Sequence, residues 1–168
     1  MVIPEFLNTI EQSGLSTWLR ASPSLLAYPT VLTLHAFGQA LLAGTSVAID
    51  LRLLGVAPQI PLAPLERFFK VMWLGFWVNA LTGTVLLITY PTKAFTDPVF
   101  YVKMGFVAAA MVCLQLIRNR VFGHVNPAQG PMAANAKNLA AVSILCWFGA
   151  NFAGKFMEYT YRHLIFGA

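Results

Sequence analysis

Residues 25–49 read LLAYPTVLTLHAFGQALLAGTSVAI, twenty-five residues without a single Asp, Glu, Lys or Arg. A bilayer's hydrocarbon layer of ~30 Å is crossed by about 20 helical residues. Lipid offers no hydrogen-bond partners to the backbone, so a spanning segment of this kind must be a helix. Three more stretches have the same character: about 71–90 (VMWLGFWVNALTGTVLLITY), about 99–117 (VFYVKMGFVAAAMVCLQLI) and about 139–157, with a continuation to Tyr161. The expected fold is all-α, a bundle of four transmembrane helices forming one membrane domain over residues 1–168.

The breaks between spans are legible. Pro58, Pro61 and Pro64 interrupt the first connection, Pro91 and Pro98 bracket the second, and Asn126-Pro127, Gly130 and Pro131 mark the third. Proline withholds a backbone donor and stops a helix from continuing, and these residues favour turns. Pro29 falls in the first turn of its span, where proline is tolerated.

Composition agrees with this. The chain is 58% hydrophobic and only 10% charged, against roughly 25% charged in soluble domains. A water-soluble fold of this length could not hide so much apolar surface. The formal charge of +5 comes from scattered Lys and Arg that flank apolar spans, which is how membrane proteins use them and excludes a nucleic-acid partner. Cys113 and Cys146 both lie within apolar runs without CxxC spacing, so they read as small core residues rather than a disulfide. Residues Met1–Arg20 lack a continuous apolar core, so no cleavable leader is expected, and no lipidation motif is present.

Residues 1–22 have a different pattern. Ile3, Phe6, Leu7, Ile10 and Trp18 gather on one side of a helix against Glu5, Asn8, Glu11 and Gln12. This predicts an amphipathic helix lying in the membrane interface, with Gly14 as a break. A short helix packed on the end of the bundle fits the same pattern.

Orientation follows from the basic residues. One pair of connections carries Arg52, Arg67, Lys70, Arg118, Arg120 and Lys137. The opposite side carries Arg20, Lys93 and Arg162, with Lys103 and Lys155 just inside spans. The excess places both loops in the cytoplasm and both termini in the periplasm of a bacterial inner membrane. Trp18, Tyr90, Tyr101, Tyr159 and Tyr161 then form an interfacial belt.

A polar residue within a span is costly and is therefore a functional candidate. The set is His35, Gln39, Asn79, Thr82, Lys103, Gln115, Asn151 and Lys155. At ~1.5 Å of rise per residue, most of them fall between the midplane and the outer face, in one layer drawn from all four spans. His35 stands out as the one histidine deep in a span. Gly38 lies one turn away, leaving room for a flat ring or for close packing of helices. Imidazole is a common axial ligand of haem iron; the alternative is a neutral histidine bonded across the bundle. Lys103 and Lys155 can snorkel to headgroups or neutralise haem propionates, and Lys155 can also pair with Glu158. His124 and His163 sit near opposite surfaces, too far from His35 in depth to complete a bis-histidine site. Trp73, Phe76, Trp77 and the thirteen Phe residues read mainly as lipid-facing or packing groups. No P-loop, GxGxxG, HExxH or CxxCH occurs. Asp50-Leu51-Arg52 looks like an ion pair at the cytoplasmic interface.

Tyr28-Pro29, His35, Gly38, Gly44 and the run Asp50-Leu51-Arg52-Leu53-Leu54-Gly55, together with Thr82-Gly83 and Asp97-Pro98-Val99-Phe100-Tyr101-Val102-Lys103, resemble an uncharacterised bacterial four-helix integral membrane family. The resemblance covers about residues 5–120. More distantly, the layout is similar to the haem-b membrane protoporphyrinogen oxidase and to copper-resistance D proteins. In the oxidase a histidine of the first span and a lysine opening the third are functional, and those positions match His35 and Lys103; a Thr-Gly in the second span is similar too. The chain departs from the oxidase in its N-terminal segment and in the Asp50–Gly55 stretch, which bears on the oxidase activity more than on the haem.

The expected function is thus a haem-b-binding redox or electron-transfer protein, an oxidoreductase component. His35 would be the metal ligand, and Gly38, Asn79, Lys103, Asn151 and Lys155 would be the cofactor-binding set. A membrane or periplasmic redox partner, a quinone and a second copy of the chain are the partners it implies. Two alternatives stand beside it. One is a non-catalytic anchor or assembly subunit. The other is a small metal-handling transporter using His35, Met104, Met111 and Cys113, soft ligands suited to copper.

Overall fold

The computed structural model describes residues 5–122 and 131–160, except the side chains of 131–134 and 158. Every regular element among them is helical. Two short helices open the chain, α1 (Glu5–Glu11) and α2 (Gly14–Ala21). Four long ones follow, α3 (Tyr28–Leu54), α4 (Phe68–Thr89), α6 (Pro98–Ile117) and α7 (Pro131–Thr160), with the short α5 (Pro91–Thr96) between α4 and α6. Four helical stretches, Tyr28–Leu54, Ala63–Thr89, Pro98–Phe122 and Asn135–Met157, are long and apolar enough to cross a membrane. The chain is an all-α four-helix bundle of the membrane type.

The helix ends follow local chemistry. The first span starts a few residues later than its hydropathy suggests, because the Ser22 and Ser24 hydroxyls accept from the Ser24 and Leu26 amides and hold a turn ahead of Pro29. It runs on to Leu54 and stops at Gly55, whose φ of 99° is the left-handed conformation favoured by glycine; Val56 N–H then closes back on the Leu51 carbonyl at 3.0 Å. Ala63–Arg67 forms a 3-10 turn leading into α4. Asp97 caps α6 by accepting from the Val99 amide at 2.9 Å, with Pro98 in the first turn. Arg118–Phe122 widens into a π-helical turn. Pro131, expected as a breaker, is instead the first residue of α7, a position that needs no amide donor. His124, Asn126-Pro127, Gly130, Tyr161, Arg162 and His163 lie outside the described residues.

Within the spans, several threonine hydroxyls bond to their own helix. Thr33 donates to the Pro29 carbonyl, Thr84 to Ala80 and Thr89 to Val85, all within 2.9 Å. Serine and threonine meet their hydrogen-bonding needs in lipid this way.

Helix α3 packs on α4 and on α7, and α7 packs on α6. The large apolar core fills the half of the bundle nearest the α3–α4 and α6–α7 connections, here the loop end. Leu42, Ile49, Leu65, Phe69, Met72, Leu114, Ile117 and Trp147 are its main members. Phe69 and Phe122 close it edge to face at 5.3 Å, and the Arg118 guanidinium lies over the Phe69 ring at 5.6 Å. Outward-facing positions carry large apolar groups: Trp73, Trp77 and Leu81 along α4, and Phe148, Phe152 and Phe156 along α7. So much exposed apolar surface suits lipid rather than water. On α7 the rings of Phe148, Phe152, Phe156 and Tyr159 stack in one near-parallel row.

Asp50 and Arg52 do not pair at the interface as their spacing suggests. Because α3 continues a turn beyond Ile49, Asp50 is fully buried, while Arg52 turns outward and donates to the Pro58 and Ile60 carbonyls of the following loop.

The opposite end, called here the terminal end, is covered by the N-terminal helices. The first helix ends at Glu11 and Ser13 caps the second, so the break comes just before Gly14. Helix α1 rests on α5 and α2 on α4. Leu7, Ser16 and Leu19 are buried, and the Ser16 hydroxyl donates to the Thr89 carbonyl at 3.0 Å. Arg20 ties α2 to α1 through Glu11 and lies over the Tyr90 ring. The packed face and the apolar outer face are therefore both present: Phe6, Leu15 and Trp18 remain exposed on the far side.

Candidate functional site

The polar layer predicted from sequence lies in the terminal half of the bundle, beyond the large apolar core. Its centre is the crossing of α3 and α4. A β-carbon on Gly38 would sit 2.6 Å from the Asn79 amide nitrogen, and one on Gly75 would sit 2.8 Å from that of Leu42. Only residues without side chains permit this approach, in the manner of small-residue crossings between membrane helices. The closeness of the two backbones brings His35 of α3 against Asn79, Thr82 and Gly83 of α4.

His35 is half-buried there, and its ring is held at one nitrogen. Nδ1 lies 3.1 Å from the Asn79 carbonyl oxygen and 3.1 Å from Thr82 Oγ1. The Thr82 hydroxyl proton is already committed to the Val78 carbonyl at 2.6 Å. Both neighbours of Nδ1 are therefore acceptors, so Nδ1 carries the proton. In the neutral ring the lone pair is then on Nε2. The Asn79 amide completes the junction by donating to the His35 carbonyl at 2.9 Å. Gly83 makes room for the ring itself, since a β-carbon there would approach His35 Cε1 to 3.1 Å.

Lys103 of α6 is partly buried, and its chain end passes Gly154 of α7, where a β-carbon would meet Cε and Nζ at 3.7 Å. Of the six residues singled out from sequence, His35, Gly38 and Asn79 meet at the α3–α4 crossing, while Lys103 lies against Gly154 of α7. Asn79 and Gly38 build the helix crossing: the Asn79 amide is committed to backbone. Asn151 and Lys155 face outward on α7, and the Asn151 amide donates to the Trp147 carbonyl of its own helix at 2.9 Å. The Glu158 side chain, the suggested partner of Lys155, is outside the described residues. Gln115 is exposed and donates to Asn119 at 3.3 Å.

Thr82 and Gly83 were visible in the sequence as a pair, but their roles were not. Thr82 fixes the histidine tautomer and Gly83 gives the ring its space. Among the described residues no group of three His, Cys, Asp or Glu side chains could hold a metal ion. An open, apolar groove runs between Val99, Val102 and Phe106 of α6 and Phe148, Phe152 and Phe156 of α7, on the side that the stacked rings of α7 present to lipid.

Compared with known protein families, curated proteins and solved structures, the chain matches none.

Proposed function

We propose that this protein is a haem-b-binding redox protein of a bacterial inner membrane, with both termini on the periplasmic side and His35 as the residue that would ligate the iron. The observation that carries the reading is the arrangement of the His35 ring. Metal-bound histidines almost always donate their second ring nitrogen to a carbonyl or carboxylate, which fixes the tautomer and raises ligand basicity. Here Nδ1 donates to the Asn79 carbonyl, and Nε2 is left as the ligand atom.

The donor set fits a haem better than a caged metal ion. A porphyrin brings four of its own nitrogens, so the protein needs to add only one or two axial groups. A zinc site needs a cluster of protein ligands, and no group of three His, Cys, Asp or Glu is assembled among the described residues. When bound, the haem supplies one-electron redox chemistry. The chain's own residues do the rest. His35 would hold the iron, Asn79 and Thr82 orient the imidazole, Gly83 makes room for that ring, and Lys103 would neutralise a carboxylate in a region of low dielectric. The resemblance to the haem-b oxidase and to copper-resistance D proteins supports the same two residues. With the termini periplasmic, the His35–Lys103 region is nearer the outer face, where a periplasmic partner or a quinone would exchange electrons with it.

The test is an absorption spectrum of detergent-purified protein from haem-replete cells, air-oxidised and then dithionite-reduced. A Soret band that shifts, with sharp α and β bands on reduction, is the expected result. A featureless visible spectrum would overturn the reading and favour an anchoring subunit, to be sought through its co-purifying partners.

A further inference from the structure

A second polar cluster lies at the loop end, within the apolar core. Ser46 and Asp50 are one turn apart on α3, and Ser143 and Trp147 are one turn apart on α7. Ser46, Asp50 and Ser143 are all 0% exposed and Trp147 is 1% exposed. The Trp147 indole N–H donates to Ser46 Oγ at 3.0 Å. The Asp50 carboxyl adjoins the Ser46 and Ser143 hydroxyls, yet neither carboxyl oxygen, nor Ser143 Oγ, has a formed hydrogen bond.

Among the described residues, no cation pairs with Asp50. Arg52 is committed to loop carbonyls and Arg118 to the face of Phe69. Two free thiols, Cys113 of α6 and Cys146 of α7, are buried in the bundle as well. Neither is a counter-ion. A bare carboxylate sealed between helices would be an uncompensated buried charge, and proteins avoid these by pairing them or by neutralising the group.

We propose that Asp50, Ser46 and Ser143 form a binding site for one exchangeable proton, with Asp50 as its carrier. A proton suits the oxygens present better than a metal cation does. Ser46 Oγ is already an acceptor for the indole, which leaves the two carboxyl oxygens and Ser143 Oγ. That is too few for the oxygen shell of a hard cation. For a neutral acid the same atoms suffice: the acid O–H is offered to Ser143 Oγ, and the acid carbonyl accepts the Ser46 proton. Fifteen residues of α3 separate Asp50 from His35, ~22 Å at the helical rise, so this site does not depend on the haem reading.

The experiment is infrared difference spectroscopy of the purified full chain in lipid nanodiscs at neutral pH, wild type minus Asp50→Asn. The expected result is a carboxylic-acid C=O band that is present in wild type, absent from Asp50→Asn and shifted in D2O. Carboxylate bands in place of it would overturn the proposal. So would an acid band indifferent to D2O, or one that disappears on adding NaCl, which would indicate a cation site. Should Asp50→Asn fail to accumulate, Ser143→Ala carries the assignment: the acid band moves to higher frequency as its partner is lost, and an unmoved band counts against the site.

Discussion

His35 and Asn79 hold each other through their backbones: Nδ1 of the histidine reaches the asparagine carbonyl at 3.1 Å, and the asparagine amide returns to the histidine carbonyl at 2.9 Å. One junction therefore both joins α3 to α4 and orients the ring. Asn79→Ala removes the amide half of this exchange. It should destabilise the bundle by about 1 kcal/mol, the net worth of one part-buried hydrogen bond, since the His35 carbonyl keeps its helical donor. Haem content per chain should fall in the same variant, and in His35→Ala it should be abolished. Denaturation in mixed micelles with parallel pyridine haemochrome assays checks both; normal haem in His35→Ala would refute the ligand assignment.

Gly38→Ala forces a methyl group onto the Asn79 backbone, whereas Gly44 has nothing within 4 Å of where a β-carbon would stand. Overpacking of this kind costs about 1–3 kcal/mol. Gly38→Ala should lower the melting temperature and Gly44→Ala should leave it unchanged. Equal behaviour of the two variants in a thermal-shift assay would mean that α3 and α4 are not in close contact.

Lys103 and Lys155 are distinguishable although both are lysines near the same end of the bundle. Lys103→Met should weaken haem retention several-fold, because it removes the half-buried cation proposed to meet a haem carboxylate. Lys155→Met should retain haem as wild type does, because Lys155 faces outward. Competition for haem by apomyoglobin measures the difference, and identical loss rates for the two variants would place the cofactor elsewhere.

Ser16→Ala tests the attachment of the N-terminal helices. The bond from Ser16 to the Thr89 carbonyl is buried, and its loss should cost about 1 kcal/mol. Hydrogen exchange should quicken in α1 and α2 while the core near Ile49 and Ile117 stays protected. Unchanged exchange in α2 would show that the segment is held by the membrane interface alone.

The number and approximate placement of the spans were legible in the sequence because lipid demands long apolar helices, and prolines fall in the connections between them. Which residues face inward was not. Helices α3 and α4 are apolar nearly all the way round, so they lack the one-sided pattern that reveals a buried face in a soluble helix. His35, Asn79 and Lys103 stood out through the rarity of polar groups at that depth. Asn151 and Lys155 stood out for the same reason, yet they turn the other way, since depth says nothing about direction. Asp50 was hidden by Arg52. Two residues apart with opposite charge, they suggest a surface pair, and nothing local shows that α3 continues far enough to take one inside and leave the other out.

Trp147 differs from the three other tryptophans in lying fully inside the molecule, while Trp18, Trp73 and Trp77 are between 39% and 58% exposed. Brominated lipids should extinguish the emission of those three and spare the fourth. The light that remains would come from an indole bonded to Ser46, beside the Asp50 carboxyl, so the protein carries its own fluorescent probe of the state of its core.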